Sequence, residues 1–168
     1  MGEALSFSQL DGLLGDHAPF LVSLSDGLEE TLRVVIAKAA VGVPDTKLPD
    51  LSGLDARTAE ALSGILSGSS PIEPDANASF ELCFEDYILY LVKNESYSDC
   101  SPEDHWSGRY LRVYDRSHLL DSLPDMTIAQ RFGDGGWFPG PWGHYGICAQ
   151  RQIIDIITHV PPVIKKST

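Results

Sequence analysis

Apolar positions in the first seventy or so residues recur at helical spacing. Phe7, Leu10, Leu13 and Leu14 fall on one face, and Gly15-Asp16 closes the segment. Asp26 followed by Glu29 resembles a capping box. Leu28, Leu32, Val35, Ile36 and Ala39 then make one apolar stripe, with Glu29, Glu30, Arg33 and Lys38 off it. This pattern predicts a helix over residues 26–41, ended by Gly42 and Pro44. A further helix is predicted after Asp55, which can cap it, with Ala59, Leu62, Ile65 and Leu66 inward and Gly68 as its stop. Residues 68–77, GSSPIEPDAN, are rich in turn formers and read as a linker.

Beyond that stretch the apolar period falls from about 3.6 residues to about 2. Phe80, Leu82 and Phe84 alternate with Glu81, Cys83 and Glu85. Tyr87, Leu89 and Leu91 share one face and Ile88, Tyr90 and Val92 the other, as in a strand covered on both sides. Glu85 and Asp86, adjacent on a strand, are expected to point to opposite faces. Residues 109–114, RYLRVY, predict another strand. Asp115 is positioned to cap a short helix carrying Leu119, Leu120 and Leu123, with Pro124 as its stop. Residues 144–149 and 152–158 are two more strand-like runs, either a hairpin or one long bent strand. The expected fold class is α+β: N-terminal helices packed on a mainly antiparallel sheet, in two layers. One domain is expected over residues 1–168, with a helical part at 1–70 and a sheet-rich part at 77–160.

Composition narrows the function. The chain has 168 residues, 43% apolar and 21% charged, which excludes a mostly disordered chain, a collagen-like repeat and a disulfide scaffold. Its formal charge of −12 argues against nucleic acid as partner, because phosphate contacts need a basic face. No stretch approaches the roughly 18 apolar residues of a membrane helix. Cys83, Cys100 and Cys148 are odd in number and contain no C-x-x-C pair. The start, MGEALSFSQL, carries neither a basic region nor an apolar core of a secretory signal, so a cytoplasmic location is expected.

Two segments carry candidate chemistry. Between residues 81 and 104 seven acids face the single base Lys93. Within and beside this run, Glu95, Tyr97, Asp99, Glu103, Asp104 and Trp106 combine carboxylates with aromatics, which can steer and then anchor a basic protein. Arg109, Arg112, Arg116 and Arg131 are the cations placed to compete for those acids. The second segment, residues 133–143, packs five glycines, two prolines, two tryptophans and a phenylalanine into a fixed irregular path. Its tryptophans either plug a core or line a pocket. In the pocket reading the site comprises His118, Asp121, Trp137, Trp142 and His144. No H-x-x-x-H or C-x-x-C spacing is present, so neither a metal nor another cofactor is expected, and no nucleophile signature appears.

Several stretches together resemble a group of small bacterial proteins of unknown function. They are Lys93-Asn94-Glu95-Ser96-Tyr97, residues 108–114 with Ser117-His118-Leu119-Leu120-Asp121, Gly140-Pro141, His144-Tyr145-Gly146-Ile147 and Ile153-Ile154-Asp155-Ile156-Ile157. The resemblance spans residues 80–160 and implies a bacterial cytoplasmic protein; it brings no activity, cofactor or site residue with it. The expected function is therefore a non-enzymatic acidic domain that binds and neutralises a basic protein, as immunity proteins do. The alternative is a small enzyme or ligand-binding protein with its site near the Gly/Trp loop. Pairing with a second copy stays open.

Overall fold

The computed structural model describes residues 5–43 and 50–167. In chain order the elements are α1 (Phe7–Leu14), β1 (Phe20–Asp26), β2 (Leu32–Val41), α2 (Ala56–Ser67), β3 (Ile72–Phe84) and β4 (Tyr87–Asn94). They continue with β5 (His105–Ser107), β6 (Leu111–Arg116), α3 (His118–Met126), β7 (Gln130–Arg131), β8 (Trp137–Phe138), β9 (Gly143–Cys148), β10 (Gln152–Thr158) and β11 (Val163–Lys166). The class is α+β with antiparallel sheets. One sheet has the order β1-β2-β3-β11, the other β4-β10-β9-β6-β5, and β7 pairs with β8 alone.

The two larger sheets share one core. Leu32, Val34 and Ile36 of β2 and Leu82 and Phe84 of β3 join Leu111 of β6, Ile147 of β9, and Ile154 and Ile156 of β10. Phe7, Leu10 and Leu14 of α1 enter the same cluster. The chain crosses between the sheets twice, at Glu85-Asp86 from β3 to β4 and at residues 159–162 from β10 to β11. Along β10 the side chains alternate. Ile154 and Ile156 enter this core, and Ile157 enters a second cluster with Leu120 and Leu123 of α3, Ala129 and Trp142. The five-stranded sheet is thus covered on its other face by α3 and by the chain around Trp142, and this outer face carries the candidate site.

Several sequence expectations are corrected. Residues 26–41 form no helix: β1 ends at Asp26, a turn follows, and β2 begins at Leu32. Asp26 caps nothing, and Glu29 and Glu30 adopt left-handed backbone at φ 70° and 55°. The residues 32–41 fit both periods, since Leu32, Val34 and Ile36 alternate as well as Leu32, Val35, Ile36 and Ala39 spiral. The β-branched run Val34-Val35-Ile36 tips the balance, because its side chains suit a pleated surface flanked by β1 and β3. The expected stop at Pro44 lies outside the described residues. The region 1–70 is accordingly not a helical part. The expected linker 68–77 is also strand from Ile72 onward. Pro74 is tolerated there because β11 pairs only with Phe80–Cys83, leaving one side of the start of β3 free.

Other expectations hold in part. Asp55 caps α2, its carboxylate accepting the Thr58 N–H at 3.1 Å, and Gly68 ends it, but α2 buries none of its residues and Ile65 is exposed. Glu85 and Asp86 sit in a turn rather than on a strand, with Asp86 at φ 51°. The cap of α3 is Ser117, not Asp115, and the helix runs through Pro124 to Met126. The two C-terminal runs are a hairpin, β9 against β10, closed by Ala149 N–H to Gln152 carbonyl at 2.8 Å.

Candidate functional site

Side chains on the outer face of the five-stranded sheet meet α3 across a cavity of about 350 Å3. Strand register decides which residues form its floor. Gly146 of β9 stands opposite Arg112 of β6 on one side and Asp155 of β10 on the other, and Asp155 stands opposite Leu91 of β4. Two residues along, on the same face, His144 stands opposite Tyr114. Paired residues face the same way, so this row of four plus its neighbours points out of the core together. The walls are α3, through His118, Leu119, Ser122 and Met126, and the loop carrying Asp99, Cys100, Ser101 and Asp104.

A hydrogen-bonded chain, half-exposed at Lys93 and buried from Asp155 onward, runs along the cavity. Lys93 Nζ donates to Asp155 Oδ2 at 2.7 Å, and Asp155 Oδ1 lies 3.0 Å from His144 Nε2. His144 Nδ1 lies 2.8 Å from Ser117 Oγ, which also accepts the Leu120 N–H at 3.1 Å as the cap of α3. An ionised carboxylate only accepts, so in the neutral imidazole Nε2 carries the proton and the Ser117 hydroxyl donates to Nδ1. Ser117, His144 and Asp155 are 1%, 3% and 3% exposed, and all three are fully partnered. Tyr114 stacks on the His144 ring with centroids 3.9 Å apart and planes at 5°. The stack depends on Gly146, because a Cβ there would lie 3.0 Å from Tyr114 Cε2 and 3.4 Å from Arg112 Cβ.

The electrostatics follow from these contacts. Burial works to raise the Asp155 pKa, but the hydrogen bonds from His144 and Lys93, together with the Lys93 charge, outweigh it and hold the carboxyl below its ordinary value. Burial pushes the Tyr114 phenol up to about 12 and the Cys148 thiol up to about 11, so both stay protonated near neutrality. Arg112 differs from the other groups. Its guanidinium lies 4.3 Å over the Trp106 ring and one terminal nitrogen donates to the Cys100 sulfur at 3.5 Å. Its Nε is buried without a partner.

Ser117, His144 and Asp155 have the residue types of an acyl-transfer triad, but the surroundings oppose that chemistry. The serine hydroxyl is buried and committed to the helix cap. The neighbouring N–H, of His118, is taken by Asp104 Oδ1 at 2.8 Å. A developing oxyanion at that helix start would meet a carboxylate instead of open donors. Among the described residues, no group of three or more His, Cys, Asp and Glu is placed to hold a metal ion. No helix among them is long and apolar enough to cross a membrane.

The structure separates the residues singled out from the sequence. Of the pocket set, His118 and His144 line the cavity. Asp121, on α3, is exposed and outside it. Trp137 and Trp142 pack edge to face at 4.7 Å in the second cluster, under Arg131, and belong to the packing beneath α3 rather than to the cavity. Of the acidic set, Asp99 and Asp104 line the cavity, with Asp99 accepting the Cys100 N–H and Asp104 the His118 N–H. Glu103 pairs with Arg116 at 2.9 Å, Trp106 lies under Arg112, and Glu95 and Tyr97 stay exposed. Sequence reasoning missed Lys93, Arg112, Tyr114, Ser117 and Asp155. Asp155 alone had a visible signal: a lone acid between Ile153-Ile154 and Ile156-Ile157 must find partners if that strand is buried.

Compared with models of known protein families, with curated proteins and with solved structures, the chain matches none.

Proposed function

We propose that the protein binds a small molecule in the cavity on the outer face of its five-stranded sheet. The observation that carries this reading is the convergence of buried, pre-ordered polar groups on an otherwise largely apolar cavity. The volume of about 350 Å3 lies within the usual range for small-ligand sites, and few but well-held polar groups are what orient a ligand there. The Lys93–Asp155–His144–Ser117 chain satisfies itself, so a ligand meets groups whose positions are already set. In this reading the two sheets form two layers, with α1 against their shared core, and the outer face of the second layer is left to the ligand.

Docking of a basic protein on the acidic segment is the weaker reading. The net charge of −12 supports it, but Asp99, Glu103 and Asp104 are engaged by this chain's own backbone or by Arg116. The test is amide chemical-shift mapping on the isotope-labelled protein, first with pools of small molecules and then with a basic protein. Saturable shifts confined to Leu91, Arg112, Leu119, Gly146 and Ile153 with one class of compound are expected. Salt-sensitive shifts centred on Glu95, Tyr97 and Glu103 with the basic protein, and none in the cavity with any pool, would reverse the conclusion.

A further inference from the structure

We infer that the cavity selects a monocarboxylate on an apolar body, with Arg112 as the group that receives the carboxylate. The inference rests on the cavity being a ligand site and names the chemistry of what it takes.

The argument is a charge and hydrogen-bond count over the cavity. Lys93 is the other cation on its floor, and it is already neutralised by Asp155 at 2.7 Å. Both Asp155 oxygens are occupied, one by Lys93 and one by His144. Asp99 and Asp104 each have an oxygen on a backbone N–H. Arg112 is left over. Among the described residues it takes part in no ion pair, in a chain with 24 acids against 12 bases. Its Nε is buried and unpartnered, and its side-chain partners, the Cys100 thiol and the Tyr114 hydroxyl, are both neutral. A half-buried guanidinium lacking a carboxylate is costly unless something else supplies the acceptor. Trp106 beneath it and Tyr114 beside it hold its plane in place without neutralising it.

The count also fixes the ligand's charge and shape. Among the described residues Arg112 is the one Lys or Arg of the lining without a carboxylate, and since Asp99 and Asp104 meet no cation either, the lining accepts at most one negative charge, set directly against Arg112. A phosphate dianion would bring a second charge against Asp99 and Asp104 with no second cation to meet it. A guanidinium offers paired N–H groups to the two oxygens of a carboxylate, a geometry that a lone hydroxyl cannot use. Beyond the head, Leu91, Ile153, Leu119 and Met126 supply an apolar wall. The remaining surface charge is not decisive, because at physiological ionic strength screening acts over about 8 Å.

The experiment compares octanoate, 1-octanol and octylamine on the unaltered protein by amide shift titration, and repeats the set on Arg112→Gln. An acetylated tripeptide with an apolar C-terminal residue and a free terminal carboxylate forms a fourth arm, which separates a free acid from a chain terminus as the source of the same head group. Octanoate or the peptide acid is expected to shift Arg112, Gly146 and Ile153 and to bind about tenfold tighter than octanol or more, with octylamine weakest. Arg112→Gln is expected to bring the acid down to the level of the alcohol. Equal binding of acid and alcohol in the cavity overturns the carboxylate assignment while leaving the cavity as a ligand site. Preference for octylamine, or octanoate shifts that map away from Arg112, overturns it too. Absence of cavity shifts with all four probes overturns it as well, and the compound pools then judge the cavity separately. The comparison on the unaltered chain decides the matter even if Arg112→Gln fails to fold.

Discussion

Asp155 shows what a single side chain contributes. It is nearly inaccessible, yet both its oxygens have charged or ring N–H partners, and its pKa lies below the ordinary 3.8. A group with a depressed folded pKa favours the folded state above the unfolded value and loses that contribution as pH falls through the folded value. Asp155→Asn is expected to lower the unfolding free energy at pH 7 by about 1–3 kcal/mol, since hydrogen bonds to a buried charged group are weakened. Urea denaturation of both proteins from pH 7 down to pH 3 measures it. The gap between them should be constant above about pH 4 and shrink below it. A gap that widens on acidification would contradict the arrangement of the chain from Lys93 to Ser117. The other members of the site were hidden at this scale for a plain reason. Arg112 and Tyr114 look like ordinary strand residues, and Ser117 like an ordinary cap, until strand pairing places them beside His144.

Among the elements, the two N-terminal helices differ in how they are tied down. Helix α1 is anchored twice. Phe7, Leu10 and Leu14 enter the shared core, and Asp11 accepts the backbone N–H groups of Arg109 at 2.7 Å, Tyr110 at 2.8 Å and Leu111 at 2.7 Å. That carboxylate holds the turn from β5 to β6, where Gly108 is required: its φ is +90° and a Cβ would lie 2.0 Å from the Leu111 carbonyl oxygen. Asp11→Ala removes three acceptor contacts at once. It is expected to cost about 2–3 kcal/mol and about 4–10 °C in melting temperature, read by calorimetry. A loss under about 1 °C would mean that the turn holds its shape without the helix. Helix α2 was equally legible in the sequence, from its Asp55 cap to its Gly68 stop, yet it buries none of its residues. Capping and period are local properties, whereas burial depends on what lies opposite. The reading of residues 26–41 as a helix failed for the same reason. Two apolar periods coexisted there, and the flanking strands β1 and β3 decided between them.

At the scale of the whole molecule the dominant fact is excess negative charge. Four Lys or Arg pairs with carboxylates are present among the described residues, against a net charge of −12. Mutual repulsion of the surplus acids opposes the compact state, and salt screens it. Raising sodium chloride from about 10 mM to about 300 mM is therefore expected to raise the melting temperature by about 2–5 °C. A fall would show that the few ion pairs outweigh the repulsion.

The amino-acid sequence alone determined the strand character of residues 80–84, 87–92, 111–114, 144–148 and 152–158, the capped helix after Asp55, the short first helix and the acidic character of the molecule. Those features depend on spacing, capping chemistry and charge within a few residues of each other. Only the tertiary structure decided that residues 32–41 are a strand, that β3 and β4 part into different sheets, and that the C-terminal runs pair as a hairpin. It alone gathered Lys93, Arg112, Ser117, His144 and Asp155 into one cavity, and it placed Trp137 and Trp142 in packing instead. These residues lie far apart along the chain, and cross-strand register, which no local pattern records, is the force that makes them neighbours.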